Sequence, residues 1–283
     1  MNTTTHIPSA VSLGRKMLNK VPEVTLFFWI IKIMCTTVGE TAADYLNVNL
    51  GFGLTNTTYL TGALLAVLLA TQFSLKRYVP GVYWSVVVVI SVFGTLITDN
   101  MTDAYSVPLA TSTAVFTVIL AAVFGIWYAF ERTLSIHSIV TTRREAFYWL
   151  AILFTFALGT AAGDLVAEQF TVGYAISIAL FAGAIAVVAF GHYVVKLDPV
   201  LTFWLAYILT RPLGASIGDE MSQSSHKFGG LGLGTTGTSY VFLGCIFALV
   251  AFLTYTKKDQ TSPELIEEEL KASGQPALAG EPG

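Results

Sequence analysis

The chain has 283 residues, 54% of them hydrophobic and 12% charged, with a mean hydropathy of +0.67 and a formal net charge of −3. A soluble domain carries about 25% charged residues, so this density excludes an ordinary water-surrounded globule and puts most side chains against lipid or other helices. Nineteen Phe, twelve Tyr and five Trp fit a helical membrane bundle with interfacial aromatics.

Residues 1–20 carry Arg15, Lys16 and Lys20 and read as a cytoplasmic arm. The apolar stretch behind them is long and lacks a small-residue cleavage site, so a retained span is expected rather than a signal peptide. Apolar runs follow at 24–43, 58–75, 81–98, 109–130, 146–163, 172–195, 200–218 and 239–256. At 1.5 Å per helical residue, each is about long enough to cross a ~30 Å hydrocarbon core. Spanning segments must satisfy their backbone internally, so an all-α protein with eight transmembrane helices is predicted. Residues 259–283 read as a disordered, acidic cytoplasmic tail.

Basic residues orient the spans. Arg15, Lys16, Lys20, Lys76, Arg77, Arg132, Arg143, Arg144, Lys196, Lys257, Lys258 and Lys271 all fall on one side. The positive-inside bias assigns that side, with both termini, to the cytoplasm of an inner-membrane-type protein. The opposite end carries Asp44, Asp99, Asp103, Asp164, Glu168, Asp219 and Glu220, an acidic mouth.

Four segments align without a gap, beginning at Trp29, Trp84, Trp149 and Trp204. Each has Gly ten residues later (Gly39, Gly94, Gly159, Gly214) and Asp fifteen later (Asp44, Asp99, Asp164, Asp219). Successive Trp residues are 55, 65 and 55 positions apart. The pattern implies a two-helix unit duplicated twice, with repeats near 21–77, 78–132, 143–196 and 197–258 in a membrane domain of 21–256. Each unit crosses twice, so the repeats run parallel about an axis along the membrane normal.

These four Trp residues, their Gly and Asp partners, and the stretch Val21 to Trp29 with Lys32 and the Thr36–Thr41 run resemble a bacterial family of uncharacterised membrane-anchored proteins with four tandem two-helix repeats, each with a characteristic tryptophan. The resemblance covers about residues 21–256 and implies an integral membrane protein; it carries no substrate.

Positions 0, 4, 7, 11 and 15 after each Trp share an arc of about 80° on a helix. In the first repeat these are Trp29, Ile33, Thr36, Glu40 and Asp44. If this stripe faces the pseudo-symmetry axis, Trp and Asp form two rings about 22 Å apart; alternatively, the Trp residues anchor in the interface and the Asp residues end the spans in the headgroup region. The glycines, each followed four residues later by Ala43, Thr98, Gly163 or Gly218, form small-xxx-small pairs for close helix packing.

Two exceptions break the repeat. Glu40 stands where the other copies have Thr95, Thr160 and Ala215, and Arg211 where they have Thr36, Ser91 and Phe156. Intramembrane charges face a partner or water. Glu40 could pair with Lys32 through water or neutralise Arg211 across the bundle, as a structural salt bridge or as a cation-binding carboxylate with a positively charged competitor. Pro212 is placed to break its helix and free carbonyls toward a cavity. His226 precedes a Gly-rich stretch from Gly229 to Gly237, read as a flexible loop, with metal capture beside Asp219 and Glu220 as the sharper alternative. Cys35, Cys245, His137 and His192 have no metal-ligand spacing, and no catalytic motif appears.

The expected function is therefore transport of a small cation, divalent metal or a proton-coupled solute, by Lys32, Thr36, Glu40, Arg211 and the four Asp residues. A non-transporting scaffold or sensor is the alternative. The partners expected are the lipid bilayer and a small cation or proton, with room for self-association. No enzyme activity, cofactor or nucleic-acid partner is expected.

Overall fold

The computed structural model describes residues 19–224 and 230–260, so His226 and most of both termini lie outside the described residues. Eight helices follow in order: α1 Leu26–Asp44, α2 Gly53–Ser74, α3 Pro80–Asp99, α4 Leu109–Glu131, α5 Thr142–Asp164, α6 Tyr174–Phe190, α7 Pro199–Ser222 and α8 Gly234–Thr256. All eight are long and apolar enough to cross a membrane, and the described residues contain no strand. This is an all-helical, multi-pass membrane protein of four two-helix repeats.

Local chemistry starts the inner helices. Thr25 and Thr141 accept from Phe28 N and Arg144 N, Asp198 accepts from Leu201 N at 2.8 Å, and Pro80 and Pro199 fill first turns where no donor is needed. Beyond Asp44, Asp99 and Asp164, α1, α3 and α5 each widen into a π-helical turn, Tyr45–Asn49, Asn100–Ala104 and Leu165–Gln169.

α2 and α8 begin at Gly53 and Gly234, before the apolar runs expected from 58 and 239. Hydropathy misses these first turns because they are built of Thr and Asn. Their side chains bond back into the helix: Asn56, Thr57 and Thr58 donate to Phe52, Gly53 and Leu54 carbonyls, and Thr238 donates to the Gly234 carbonyl. Residues 234–237 of the glycine stretch expected as a loop are therefore helix, whereas 230–233 are not.

Lys20 and Asp259, the described residues at the inner edges of the two expected terminal segments, pack on the bundle. Lys20 is buried, its Nζ 2.7 Å from Glu145, which also accepts from Gln72. Asp259 is buried as well, taking the Tyr78 hydroxyl at 2.6 Å and holding Glu23 N on its carbonyl at 2.9 Å. Both contacts join segments distant in sequence at the basic end. Burial raises the Asp259 carboxyl above the usual carboxylate range.

The odd helices form an inner ring, α1–α3–α5–α7 and back to α1, and the even helices stand outside it. Burial separates the layers: 56–61% of each inner span is buried, against 17–22% of each outer one. Each outer helix packs chiefly on the inner helix of the next repeat, α2 on α3, α4 on α5, α6 on α7, and α8 on α1. Side chains such as Leu64, Val118, Val187 and Phe247 remain exposed on the outer helices, as a lipid-facing surface requires.

The buried face of the inner helices overlaps the expected stripe but is broader than it. Positions 7 and 11 of the stripe are buried in all four repeats, as are positions 3, 6, 8, 10, 12 and 14, whereas position 4 (Ile33, Val88, Leu153, Ile208) is half-buried. The glycines and the residues they seat therefore share the buried face with part of the predicted stripe. The repeat marks its Trp and Asp clearly, but close packing follows the small residues between them.

Two closed rings result. A Cβ built on Gly39, Gly94, Gly159 or Gly214 would lie 2.8, 2.7, 2.5 and 2.7 Å from the Cβ of Ser91, Phe156, Arg211 and Thr36. Each glycine thus seats residue seven of the next repeat, and the last seats that of the first. Nearer the basic end, the aromatic before each Trp meets the Trp of the next repeat: Phe28–Trp84 at 5.7 Å, Tyr83–Trp149 at 5.4 Å, Tyr148–Trp204 at 6.2 Å and Phe203–Trp29 at 5.6 Å between centroids. Such pairs contribute about 0.5–1.5 kcal/mol each beyond area burial.

Gly94→Ala should therefore lower stability by about 1–3 kcal/mol through overpacking against Phe156. Gly183→Ala, with nothing within 4 Å of the added methyl, should be neutral or slightly stabilising. Thermal unfolding in detergent compares the two.

Candidate functional site

Above the aromatic belt, toward the acidic end, the axis of the inner ring is polar. The belt itself is closed by Tyr83 and Tyr148, whose hydroxyls share a hydrogen bond of 2.5 Å. Next comes Lys32, fully buried, whose Nζ donates to Thr210 Oγ1 at 2.6 Å and to the Tyr207 carbonyl at 3.2 Å. The ammonium also lies 4.0 Å from the Tyr207 ring centroid and 4.9 Å from that of Phe156.

One turn further on lies Arg211, also fully buried. Its guanidinium donates to the Thr36 carbonyl at 2.9 Å, Glu40 Oε2 at 2.9 Å, Thr160 Oγ1 at 2.7 Å and Thr95 Oγ1. Glu40, Thr95 and Thr160, with Ala215, hold the same position in the four repeats. The guanidinium is thus held by acceptors from α1, α3 and α5 while its own stem comes from α7. Glu40 pairs with Arg211 and not with Lys32, which turns to α7 instead.

α7 runs through Pro212 unbroken, contrary to the expected break. The turn before it is occupied: Lys32 and Thr36 donate to the Tyr207 and Thr210 carbonyls, and Gly159 lets Pro212 Cδ approach its helix closely. These two carbonyls accept side chains of α1.

Glu40 keeps 7% of its surface exposed, toward the end where Asp44, Asp99 and Asp164 are half-buried and Asp219 is buried. Asp44, Asp99 and Asp164 end α1, α3 and α5, and Asp219 lies in the last turn of α7, all one turn beyond the level of Glu40. Asp44 also accepts from Gln223 at 3.3 Å. Among the described residues, no three His, Cys, Asp or Glu side chains converge on a metal-binding geometry. The Trp residues lie apart from this group, in the belt at the other end: Trp84, Trp149 and Trp204 are buried and Trp29 is half-buried.

Sequence reasoning missed Tyr207 and Thr210, the partners of Lys32. A signal existed: Tyr207 occupies the repeat position that Lys32 holds in the first copy, and Thr210 that of Cys35. The departures from symmetry thus gather in the first and last repeats, which meet as α1 and α7. Trp127, the tryptophan outside the repeat pattern, is fully buried and packs edge-on against Trp204 at 5.8 Å.

The fold and axis define a class: a multi-pass helical membrane protein whose four parallel repeats enclose a charged core. The chain belongs to the family described as Repeat of Unknown Function (DUF347), whose model matches residues 27–78, 82–133, 147–198 and 202–259. Neither the curated proteins nor the solved structures contain a match to it.

Arg211→Met should cost about 3–5 kcal/mol, because it leaves a nearly buried carboxylate at Glu40 unpaired. Adding Glu40→Gln to it should restore part of that loss. Detergent unfolding of both single variants and the double variant measures the coupling.

Proposed function

We propose that the protein transports a small monovalent cation, with Glu40 as the binding carboxylate and Arg211 as a tethered competitor for it. The observation that carries this reading is the buried guanidinium ringed by Glu40, Thr95, Thr160 and the Thr36 carbonyl, directly beneath the acidic mouth. One carboxylate, two hydroxyls and a carbonyl balance a single positive charge and can replace the hydration shell of a small cation. The Asp residues above concentrate cations at the mouth. A divalent metal is less well served, since the acidic side chains do not converge as a ligand set.

In this reading, a cation arriving from the acidic end displaces Arg211 from Glu40, and the aromatic belt closes the other end of the axis. The positive-inside bias favours the basic end, with the termini, in the cytoplasm of a bacterial inner membrane.

A second reading is favoured by the same guanidinium: its bonds join all four repeats and could serve cohesion alone, as in a scaffold or sensor. Two experiments separate the readings. In proteoliposomes tested with Na⁺, K⁺ and guanidinium, the wild type should move at least one, and Glu40→Gln should reduce that flux at least about tenfold, the factor set by losing ~1.4 kcal/mol or more of binding. Unaltered flux in Glu40→Gln would sink this role for Glu40. In a cysteine-free background, Cys placed at 44, 99, 164 or 219 should react with aqueous thiol reagents and be protected by the transported cation. Inaccessible positions would favour the scaffold.

A further inference from the structure

Between the aromatic belt and the Asp residues of the mouth, the axis buries two cations and one anion: Lys32, Arg211 and Glu40. Arg211 takes the anion. Lys32 is left with neutral partners, the Thr210 hydroxyl, the Tyr207 carbonyl and the faces of Tyr207 and Phe156. The titratable or charged groups around it are Cys35 and Glu40 on α1, Tyr207 and Arg211 on α7, and the Tyr83–Tyr148 hydroxyl pair on α3 and α5. α8, which also packs on α1, contributes no buried titratable side chain. Glu40 is held by Arg211, and Arg211 itself repels the ammonium.

An uncompensated ammonium at membrane depth is costly, and a lysine relieves that cost by releasing a proton where an arginine does not. The surroundings suit both forms. The Thr210 hydroxyl, which donates to the Tyr207 carbonyl at 2.7 Å, can turn to donate to a neutral amine. The aromatic faces hold the ammonium and tolerate the amine.

We propose that Lys32 is the proton-binding site of this axis, yielding its proton when a cation enters at Glu40 and regaining it when Arg211 returns there. This rests on the reading of Glu40 given above. The charges balance: one positive charge arrives at Glu40, Arg211 stays protonated, and one proton leaves Lys32 Nζ for water while the electron pair of the N–H bond stays on nitrogen. Counting Lys32, Arg211, Glu40 and the entering cation, this stretch carries one net positive charge before and after, so one monovalent cation exchanges for one proton.

The test uses the full chain in lipid vesicles with lysine labelled with ¹³C at the ε-carbon, whose chemical shift separates ammonium from amine. The Lys32 signal is identified by its loss in Lys32→Arg, or by its displacement in Phe156→Leu if that variant fails to fold. The expected result is a one-proton transition of Lys32, separate from that of the surface lysines, and displaced along the pH axis in Glu40→Gln. A Lys32 signal that stays ammonium until the surface lysines titrate overturns the proton site. A transition that does not move in Glu40→Gln overturns its coupling to Glu40. Unaltered flux in Glu40→Gln beside a titrating Lys32 overturns the cation role of Glu40 and the exchange built on it, while leaving Lys32 as a proton site. In Lys32→Met vesicles, guanidinium uptake should proceed without the counterflow of protons read by a trapped pH dye; an unchanged counterflow overturns the exchange.

Discussion

The arrangement depends on a charge that has nowhere else to go. The Arg211 guanidinium is fully buried in the centre of a membrane bundle, and every contact that compensates it comes from a different repeat than its own. Isolated from one another, the repeats would leave Arg211 without its acceptors and Glu40 without its cation. Assembly of the inner ring satisfies both at once. The buried pair is therefore strong evidence for a specified register between α1 and α7, though weak evidence for net stability, since a well-packed apolar pair could match it.

Around that charge, symmetry and its exceptions divide the labour. The glycine seats and the aromatic belt repeat four times and close the ring by geometry that each copy shares. The chemistry sits where copies differ. Lys32, Glu40, Tyr207, Thr210 and Arg211 all belong to the first and last repeats, while the second and third supply the neutral hydroxyls of Thr95 and Thr160. Four carboxylates or four arginines at the depth of Arg211 would repel one another; a single ion pair among hydroxyls does not.

Much of this was legible in the sequence. Span number, repeat length and the parallel relation of the copies follow from hydropathy and the Trp–Gly–Asp spacing, because lipid leaves so few alternatives for the backbone. Glu40 and Arg211 stood out as breaks in a pattern. The full breadth of the buried face did not, because it is set by which small residue accepts a neighbour: Gly39 against Ser91, or Gly214 against Thr36, is a contact between distant segments that no local period encodes. The direction of Lys32 was hidden for a related reason. Within α1 it lies near Glu40, but its partners belong to α7, and the competing claim of Arg211 on Glu40 decides the outcome. The early starts of α2 and α8 were masked because their first turns are polar in composition yet satisfied by their own side chains.

The hand-over of each outer helix to the following repeat has a consequence for biosynthesis. The sequence repeat is not the unit that packs: α2 finds its surface on α3, and so on around the ring, until α8 returns to α1. That flank of α1 stays open until α8 is inserted. Closure of the ring around the charged axis is thereby tied to α8, and a product truncated before that helix would leave part of the α1 surface uncovered in the bilayer.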